Sequence, residues 1–184
     1  MLSVIYFFGG MTSLAALLLA VIVHELGHIA AIALYGGRVH GLKVSISGLC
    51  IICSGTMGTA ESVICLCAGP AAGFALAYAA SYFGNLSQNL LLIKTAGFSL
   101  VLSVYNSLPA LPLDGGRALE SIARCFGGTV FAQTLLEFTG MLTGAALLFA
   151  GAFFIRRQFG AALLIAGVWV LTAQTGIVKS GSML

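Results

Sequence analysis

The sequence predicts an all-α integral membrane protein with about five transmembrane helices and a short β-hairpin-like segment at the membrane edge after the first helix. Of its 184 residues, 60% are hydrophobic and 7% are charged, whereas soluble domains are about half apolar and a quarter charged. Five runs approach the roughly 20 apolar residues that a helix needs to cross a bilayer. These two observations exclude a soluble domain of ordinary composition.

The five predicted spans share a long apolar run with few charged side chains. They cover residues 12–35, 62–83, 90–113, 138–155 and 158–178. Residues 1–10 are too short to span, and we expect a frayed or interfacial start there. Because the N-terminus lacks the charged and small-residue features of a signal peptide, we expect residue 1 to belong to the mature chain. Residues 1–184 are therefore predicted to form one polytopic domain.

The connections carry most of the polar residues. Residues 36–61 include Val44-Ser45-Ile46-Ser47, whose alternation of apolar and polar residues favours a short strand or hairpin. Residues 114–131 are predicted to be a loop. Five crossings place five basic residues on one side and three on the other, which favours the first side as cytoplasmic. The first group is Arg38, Lys43, Arg117, Arg124 and Lys179; the second is Lys94, Arg156 and Arg157.

The low charge and the cysteine pattern exclude or weaken several function classes. Eight Lys and Arg against five Asp and Glu give a net charge of +3, which is too little for a nucleic-acid-binding surface. The five cysteines are an odd number, and we expect them to be reduced. Cys50 and Cys53 form a single C-x-x-C, a weak metal or redox signal. Gly140 and Gly144 have the spacing that is typical of close helix packing.

Three ionisable residues lie in the first span, in His24-Glu25-Leu26-Gly27-His28. Ionisable groups inside a membrane are expensive and indicate function. Side chains four residues apart share a helix face, so both imidazoles can bind one Zn²⁺, and Glu25 beside them can act as general base. The structural alternative is that the histidines only form hydrogen bonds within a helical bundle.

A catalytic zinc usually has three protein ligands and an open position. Of the remaining acids, Glu61, Glu120 and Glu137 lie near span ends, whereas Asp114 follows Pro109 and Pro112 and precedes two glycines. Prolines break a helix, and non-helical backbone inside a membrane is tolerated where it lines a cavity. At 1.5 Å per residue, the histidines lie about 18 and 24 Å from residue 12, and Asp114 lies about 28 Å or less from residue 95. Asp114 is therefore the predicted third ligand, and a helix N-cap is its structural alternative.

The chain resembles the site-2 proteases, intramembrane zinc metalloproteases of peptidase family M50. The resemblance is carried by His24 to His28, by Ala68-Gly69-Pro70 and by the segment N-S-L-P-A-L-P-L-D-G-G-R from Asn106 to Arg117. It covers about residues 12–120, which would be the catalytic core, with accessory helices in about residues 131–178.

The resemblance implies one Zn²⁺ per chain, held by His24, His28 and Asp114, with Glu25 as catalytic base and Asn106 binding substrate or the oxyanion. The short form is similar to the bacterial sporulation branch, whose members process a membrane-associated pro-sigma factor. A membrane protein or pro-protein substrate, the lipid bilayer and a regulatory membrane partner would then be the partners. Gly73 departs from the family, which usually has asparagine there. Non-hydrolytic zinc binding and an inactive scaffold stay open as alternatives.

Overall fold

The structure is a computed structural model. It describes the backbone of residues 2–35, 38–45, 48–54, 58–154 and 160–181, and the side chains of residues 10–35, 58–154 and 160–174. The chain divides into two compact units, Met1–Asn106 and Ser107–Leu184.

The first unit contains three helices and two strands. The helices are α1 (Leu2–Leu34), α2 (Thr59–Ser87) and α3 (Leu90–Asn106), and the strands β1 (Arg38–Ser45) and β2 (Gly48–Ser54) pair antiparallel between α1 and α2. Small residues line the helix contacts, as in membrane helices that pack without a hydrophobic driving force. On α3, Thr95, Ser99 and Ser103 are almost completely buried, and they follow one another at four-residue intervals on one helix face.

Helix α1 starts earlier than the predicted first span. Residues 2–34 are helical apart from Gly10, whose φ of 69° and ψ of −177° break the helix. A positive φ is readily adopted only by glycine. The segment expected to be frayed or interfacial is therefore a helical extension, which begins α1 before the break.

Helix α3 ends sooner than predicted. The third span was expected to reach residue 113, but α3 ends at Asn106 and residues 107–113 are turns and bends. Pro109 and Pro112 lack the amide hydrogen that a helix needs and clash with the preceding turn. The break that the prolines predict thus starts two residues before the first of them.

The second unit contains α4 (Asp114–Phe153) and α5 (Gly160–Gly181). The expectation of a loop over residues 114–131 is wrong, because α4 covers that segment. Within α4, the helical backbone is interrupted at Gly128, which has a φ of 75°. Its first part contains Arg117, Glu120 and Arg124, which broke the apolar pattern but are good helix formers.

The glycines of the second unit pack the two helices against each other. A methyl group added at Gly144 would lie 2.5 Å from the Leu171 side chain, and one at Gly140 would lie 2.2 Å from Nε2 of Gln174. The prediction that Gly140 and Gly144 serve helix packing is confirmed within this unit.

Three helical segments are long and apolar enough to cross a membrane by length and composition: Gly10–Leu34, Thr59–Ser87 and Asp114–Phe153. The apolar segments Leu90–Asn106 and Gly160–Gln174 are shorter. These helices indicate a membrane protein, and the count of five spans stays a prediction.

Some predicted features lie outside the described residues. Arg156, Arg157 and Ile46 lie in segments that the structure does not describe. The side chains of Arg38, Lys43, Cys50, Cys53 and Lys179 are also outside the described residues.

Candidate metal centre

The two histidines of α1 lie side by side and are buried. His24 is 3% exposed and His28 is 8% exposed. Their ring centroids are 5.0 Å apart and their planes are nearly perpendicular, at 81°. The four-residue spacing in an unbroken helical stretch produces this arrangement, because it brings both side chains to one face. Two imidazoles so close together in an apolar bundle are suited to share one metal ion.

The orientation of His28 is fixed by α2. Its Nδ1 atom lies 2.8 Å from the backbone oxygen of Cys65. Because a carbonyl oxygen can only accept a hydrogen bond, Nδ1 carries the proton and donates it. The neutral ring then has its lone pair on Nε2, the nitrogen left to bind a metal. Ligand histidines in metal sites usually make such a bond with their other nitrogen.

Gly69 of α2 lies directly against the Nε2 side of His28. A methyl group at this position would be 2.1 Å from Nε2 and 2.5 Å from Cε1. Gly27 makes a similar close approach possible one residue before His28, since a methyl group there would lie 2.6 Å from the Ala68 carbonyl oxygen. Any side chain at position 69 would displace the ring or cover Nε2.

Gly73, which departs from the resembled family, packs against α3. A methyl group at Gly73 would lie 2.1 Å from Oγ of Ser103, and Ser99 donates a hydrogen bond of 2.8 Å to the Gly73 carbonyl oxygen. Close packing with these two serines explains the glycine, and an asparagine side chain here would collide with the Ser103 hydroxyl.

Asp114 begins α4. Leu113 occupies the N-cap position, so Asp114 is not the N-cap that the structural alternative proposed. Two glycines let the preceding backbone fold tightly over the start of this helix. A methyl group at Gly115 would lie 2.3 Å from the Ser107 carbonyl oxygen, and one at Gly116 would lie 2.4 Å from the Ala110 carbonyl carbon.

His24 and His28 lie in the first unit and Asp114 lies in the second, so a metal ion held by all three residues stays a prediction. Two other acids have structural partners instead. Glu61 accepts a hydrogen bond from the Gly58 amide at the start of α2, and Glu120 forms an ion pair with Arg124.

The remaining predicted site residues lie close to these elements in sequence. Glu25 follows His24 on α1 and is partly buried. Asn106 is the last residue of α3, and its Nδ2 donates a hydrogen bond of 3.1 Å to the Leu102 carbonyl oxygen. Gln174, a buried amide on α5, was missed by the sequence analysis, although a lone glutamine in an apolar run is a readable signal.

Comparison with known proteins agrees with this arrangement at the level of the fold. No family model matches the sequence, and no curated protein matches it. Among solved structures, the chain is similar to the site-2 protease from Methanocaldococcus jannaschii, with a TM-score of 0.70. The match covers 95% of this chain and 83% of that chain, at 19% sequence identity. The fold is that of a site-2 protease.

Proposed function

We propose that this protein is an intramembrane zinc metalloendopeptidase that hydrolyses peptide bonds of membrane-embedded or membrane-associated protein substrates. The observation that carries the proposal is the pair His24 and His28, buried on one face of α1, with the His28 Nδ1 proton bound to the Cys65 carbonyl oxygen. A histidine held in a bundle for packing alone needs neither a close second imidazole nor a glycine packed against Nε2. The site-2 protease fold supports the same reading.

His24, His28 and Asp114 are the proposed ligands of one Zn²⁺. The donor set of two imidazoles and a carboxylate suits zinc and leaves a position open. A bound zinc ion supplies a Lewis acid that lowers the pKa of water to about 7 and polarises a carbonyl group. Within this chain, the Cys65 carbonyl orients His28, and the glycine at position 69 avoids a side chain that would collide with Nε2.

Glu25 is the proposed general base. Its carboxylate takes the proton of the attacking water and returns it to the amine that leaves when the peptide bond breaks. Asn106 is proposed to bind substrate or the oxyanion. Its Nδ2 carries two hydrogens: one is donated to the Leu102 carbonyl oxygen at 3.1 Å, and the second can be donated to an oxyanion.

Zinc content and hydrolysis, measured together, test the proposal. The detergent-purified wild type should contain one zinc per chain, and Asp114→Ala should lose it. Glu25→Gln should keep zinc and reduce hydrolysis of a substrate by about 10² to 10⁴-fold. Glu137→Gln, a partly buried acid on α4, is the matched control and should change neither quantity. Full zinc in Asp114→Ala, or hydrolysis unaffected by Glu25→Gln, would contradict the site. A wild-type protein that binds zinc but hydrolyses no substrate would favour a zinc carrier or sensor.

The proposal extends to where the protein acts and on what. We place it as a single multi-pass domain in a bacterial cell membrane, with the active site towards the cytoplasm and a regulatory membrane partner. The proposed substrate class includes a membrane-associated pro-protein, such as the pro-sigma factor of the sporulation branch. In spheroplasts, a thiol reagent that cannot cross the membrane should label a cysteine placed at Ser87 but not one at Phe126. The opposite pattern would contradict the orientation.

An extended substrate needs a partner for its backbone, and strand addition to an open sheet edge supplies one. Strands β1 and β2 form a two-stranded sheet. We propose that the segment from Val44 to Ile52 receives the substrate in this way. A photoreactive amino acid at Val44 should cross-link to a bound substrate in a Glu25→Gln background. Cross-links that form only at lipid-facing positions such as Tyr78 would contradict the proposal.

A further inference from the structure

Gln174 is a buried amide in an otherwise apolar part of α5. Gln174 is 5% exposed to solvent. The part of α5 before it, residues 160–173, contains no charged residue. An amide removed from water costs free energy unless it forms hydrogen bonds, and polar residues in membrane helices are rare for this reason. The side chain therefore calls for a specific partner.

That partner is the backbone of the segment before Asp114. Nε2 of Gln174 donates a hydrogen bond of 3.3 Å to the carbonyl oxygen of Leu111. On its way to the Leu111 carbonyl, the Gln174 side chain passes against the surface of α4 at Gly140. A methyl group added at Gly140 would lie 2.2 Å from Nε2 and 2.5 Å from Cδ of Gln174. Because Gly140 has no side chain, it leaves the space that the Gln174 side chain occupies.

The same backbone segment is held from its other side by α4. A methyl group at Gly116 would lie 2.4 Å from the Ala110 carbonyl oxygen and 2.7 Å from the Leu111 nitrogen. The Leu113 amide donates a hydrogen bond of 2.9 Å to Ala110, and α4 begins at the next residue. Gln174 on the carbonyl side and Gly116 on the nitrogen side therefore bracket the Leu111 residue, three positions before Asp114.

We propose that Gln174 is a positioning residue for Asp114: by holding the Leu111 carbonyl, it fixes the turn that starts α4 and so the place of the Asp114 carboxylate. The link to zinc rests on the proposed function, whereas the link to the turn does not. Loss of the amide should loosen residues 108–117 and weaken the hold on the metal. The rest of α4 should keep its stability.

The experiment compares Gln174→Met with wild type in the full-length protein. Methionine keeps the volume and removes the donor. We expect peptides that cover residues 108–117 to exchange amide hydrogen at least about tenfold faster, while peptides from residues 129–153 are unchanged. Zinc should be lost to a chelator about tenfold faster, at the low end of the effects seen for groups that support metal ligands. Thr172→Val, an exposed change on the same helix, is the matched control and should alter neither rate.

A double-mutant comparison tests the path across Gly140. Gly140→Ala should push the amide away and reproduce the Gln174→Met effects. In a Gln174→Ala background, Gly140→Ala should add nothing, because no amide is left to displace. Additive effects in this background would overturn the assigned path.

The two proposals fail in different ways. Unchanged exchange in residues 108–117 of Gln174→Met overturns the positioning role, and uniformly faster exchange throughout α4 does so as well. A wild-type protein that binds no zinc overturns the proposed function, while the exchange result still decides the role of Gln174.

Discussion

The two sequence motifs that provide the proposed ligands are built in different ways. His24 and His28 lie in a regular stretch of α1, whose period brings both to one face, with their ring centroids 5.0 Å apart. Asp114 lies at a junction, between the non-helical residues 107–113 and the first turn of α4. The first region depends on side-chain packing against an imidazole, and the second depends on backbone contacts. Substitutions should therefore disturb the two regions through different physical effects.

The largest expected effect comes from Gly69→Ala, which acts on the histidine region. The added methyl group would lie 2.1 Å from Nε2 of His28, and the ring cannot turn freely because its Nδ1 is bound to Cys65. We expect zinc affinity to fall by about 100-fold, the upper end for lost support of a ligand. The zinc affinity of the variant and of wild type is measured by competition with a chromogenic chelator.

Gly97→Ala is the control for this prediction. It makes the same chemical change in helix α3, at a position with nothing within 4 Å of the added methyl group. Its zinc affinity should equal that of wild type, and its stability should rise slightly, because alanine is the better helix former by up to about 1 kcal/mol. If both variants bound zinc like wild type, Gly69 would have no role in presenting His28.

Gly116→Ala disturbs the aspartate region instead. Its methyl group would meet the Ala110 carbonyl carbon at 2.4 Å, and backbone cannot move aside as a flexible side chain can. We expect a loss of stability of about 1–3 kcal/mol, typical of overpacking, measured by thermal unfolding in detergent, and about tenfold weaker zinc binding.

Hydrogen exchange separates the two regions. Gly116→Ala should accelerate exchange in residues 108–117, whereas Gly69→Ala should leave this segment unchanged. The contrast between side-chain packing and backbone contacts would be wrong if Gly69→Ala accelerated exchange there to the same extent.

The two regions were also not equally predictable from sequence. The relation between His24, Glu25 and His28 follows from the helical period, so the pattern predicts their shared face directly. Pro109 and Pro112 predict a break before Asp114, but not the turn that follows, because it depends on contacts of Gly115 and Gly116 with residues several positions earlier. The periodicity of a sequence predicts which residues of one helix or strand share a face. It does not predict which backbone segments contact each other.

The same limit explains the specific errors. Residues 114–131 are predicted as a loop because Arg117, Glu120 and Arg124 interrupt the apolar run, but α4 covers the segment, since charge does not prevent a helix. Gly73 carried no sign of its partners, since Ser99 and Ser103 lie on another helix. The prediction of a membrane protein built from apolar helices needed only composition and run length, and the structure agrees with that part of the predicted fold class.

Gly73→Ala should have a smaller effect, on stability more than on zinc. The methyl group would lie 2.1 Å from the Ser103 hydroxyl oxygen. This oxygen belongs to a side chain and not to the backbone, so the substitution Ser103→Ala can remove it. We expect a loss of about 1–2 kcal/mol, measured by thermal unfolding. Ser103→Ala in the same chain should restore most of it, because it removes the clashing oxygen. A double variant as unstable as the single one would show that the packing of α2 on α3 is not the reason for this glycine.

The smallest expected effect lies within α4, in the ion pair of Glu120 and Arg124. The Arg124 side chain is 53% exposed, so water screens the pair, and pairs four residues apart on a helix contribute about 0.3–0.5 kcal/mol. Glu120→Gln should therefore change the unfolding free energy by no more than this amount and leave zinc content at the wild-type level. Arg124→Gln in the same background should add almost nothing, because the partner charge is already gone. Zinc loss in Glu120→Gln would instead make this glutamate a ligand and move the third ligand away from Asp114, which would end the comparison between a helical and a junctional half of the site.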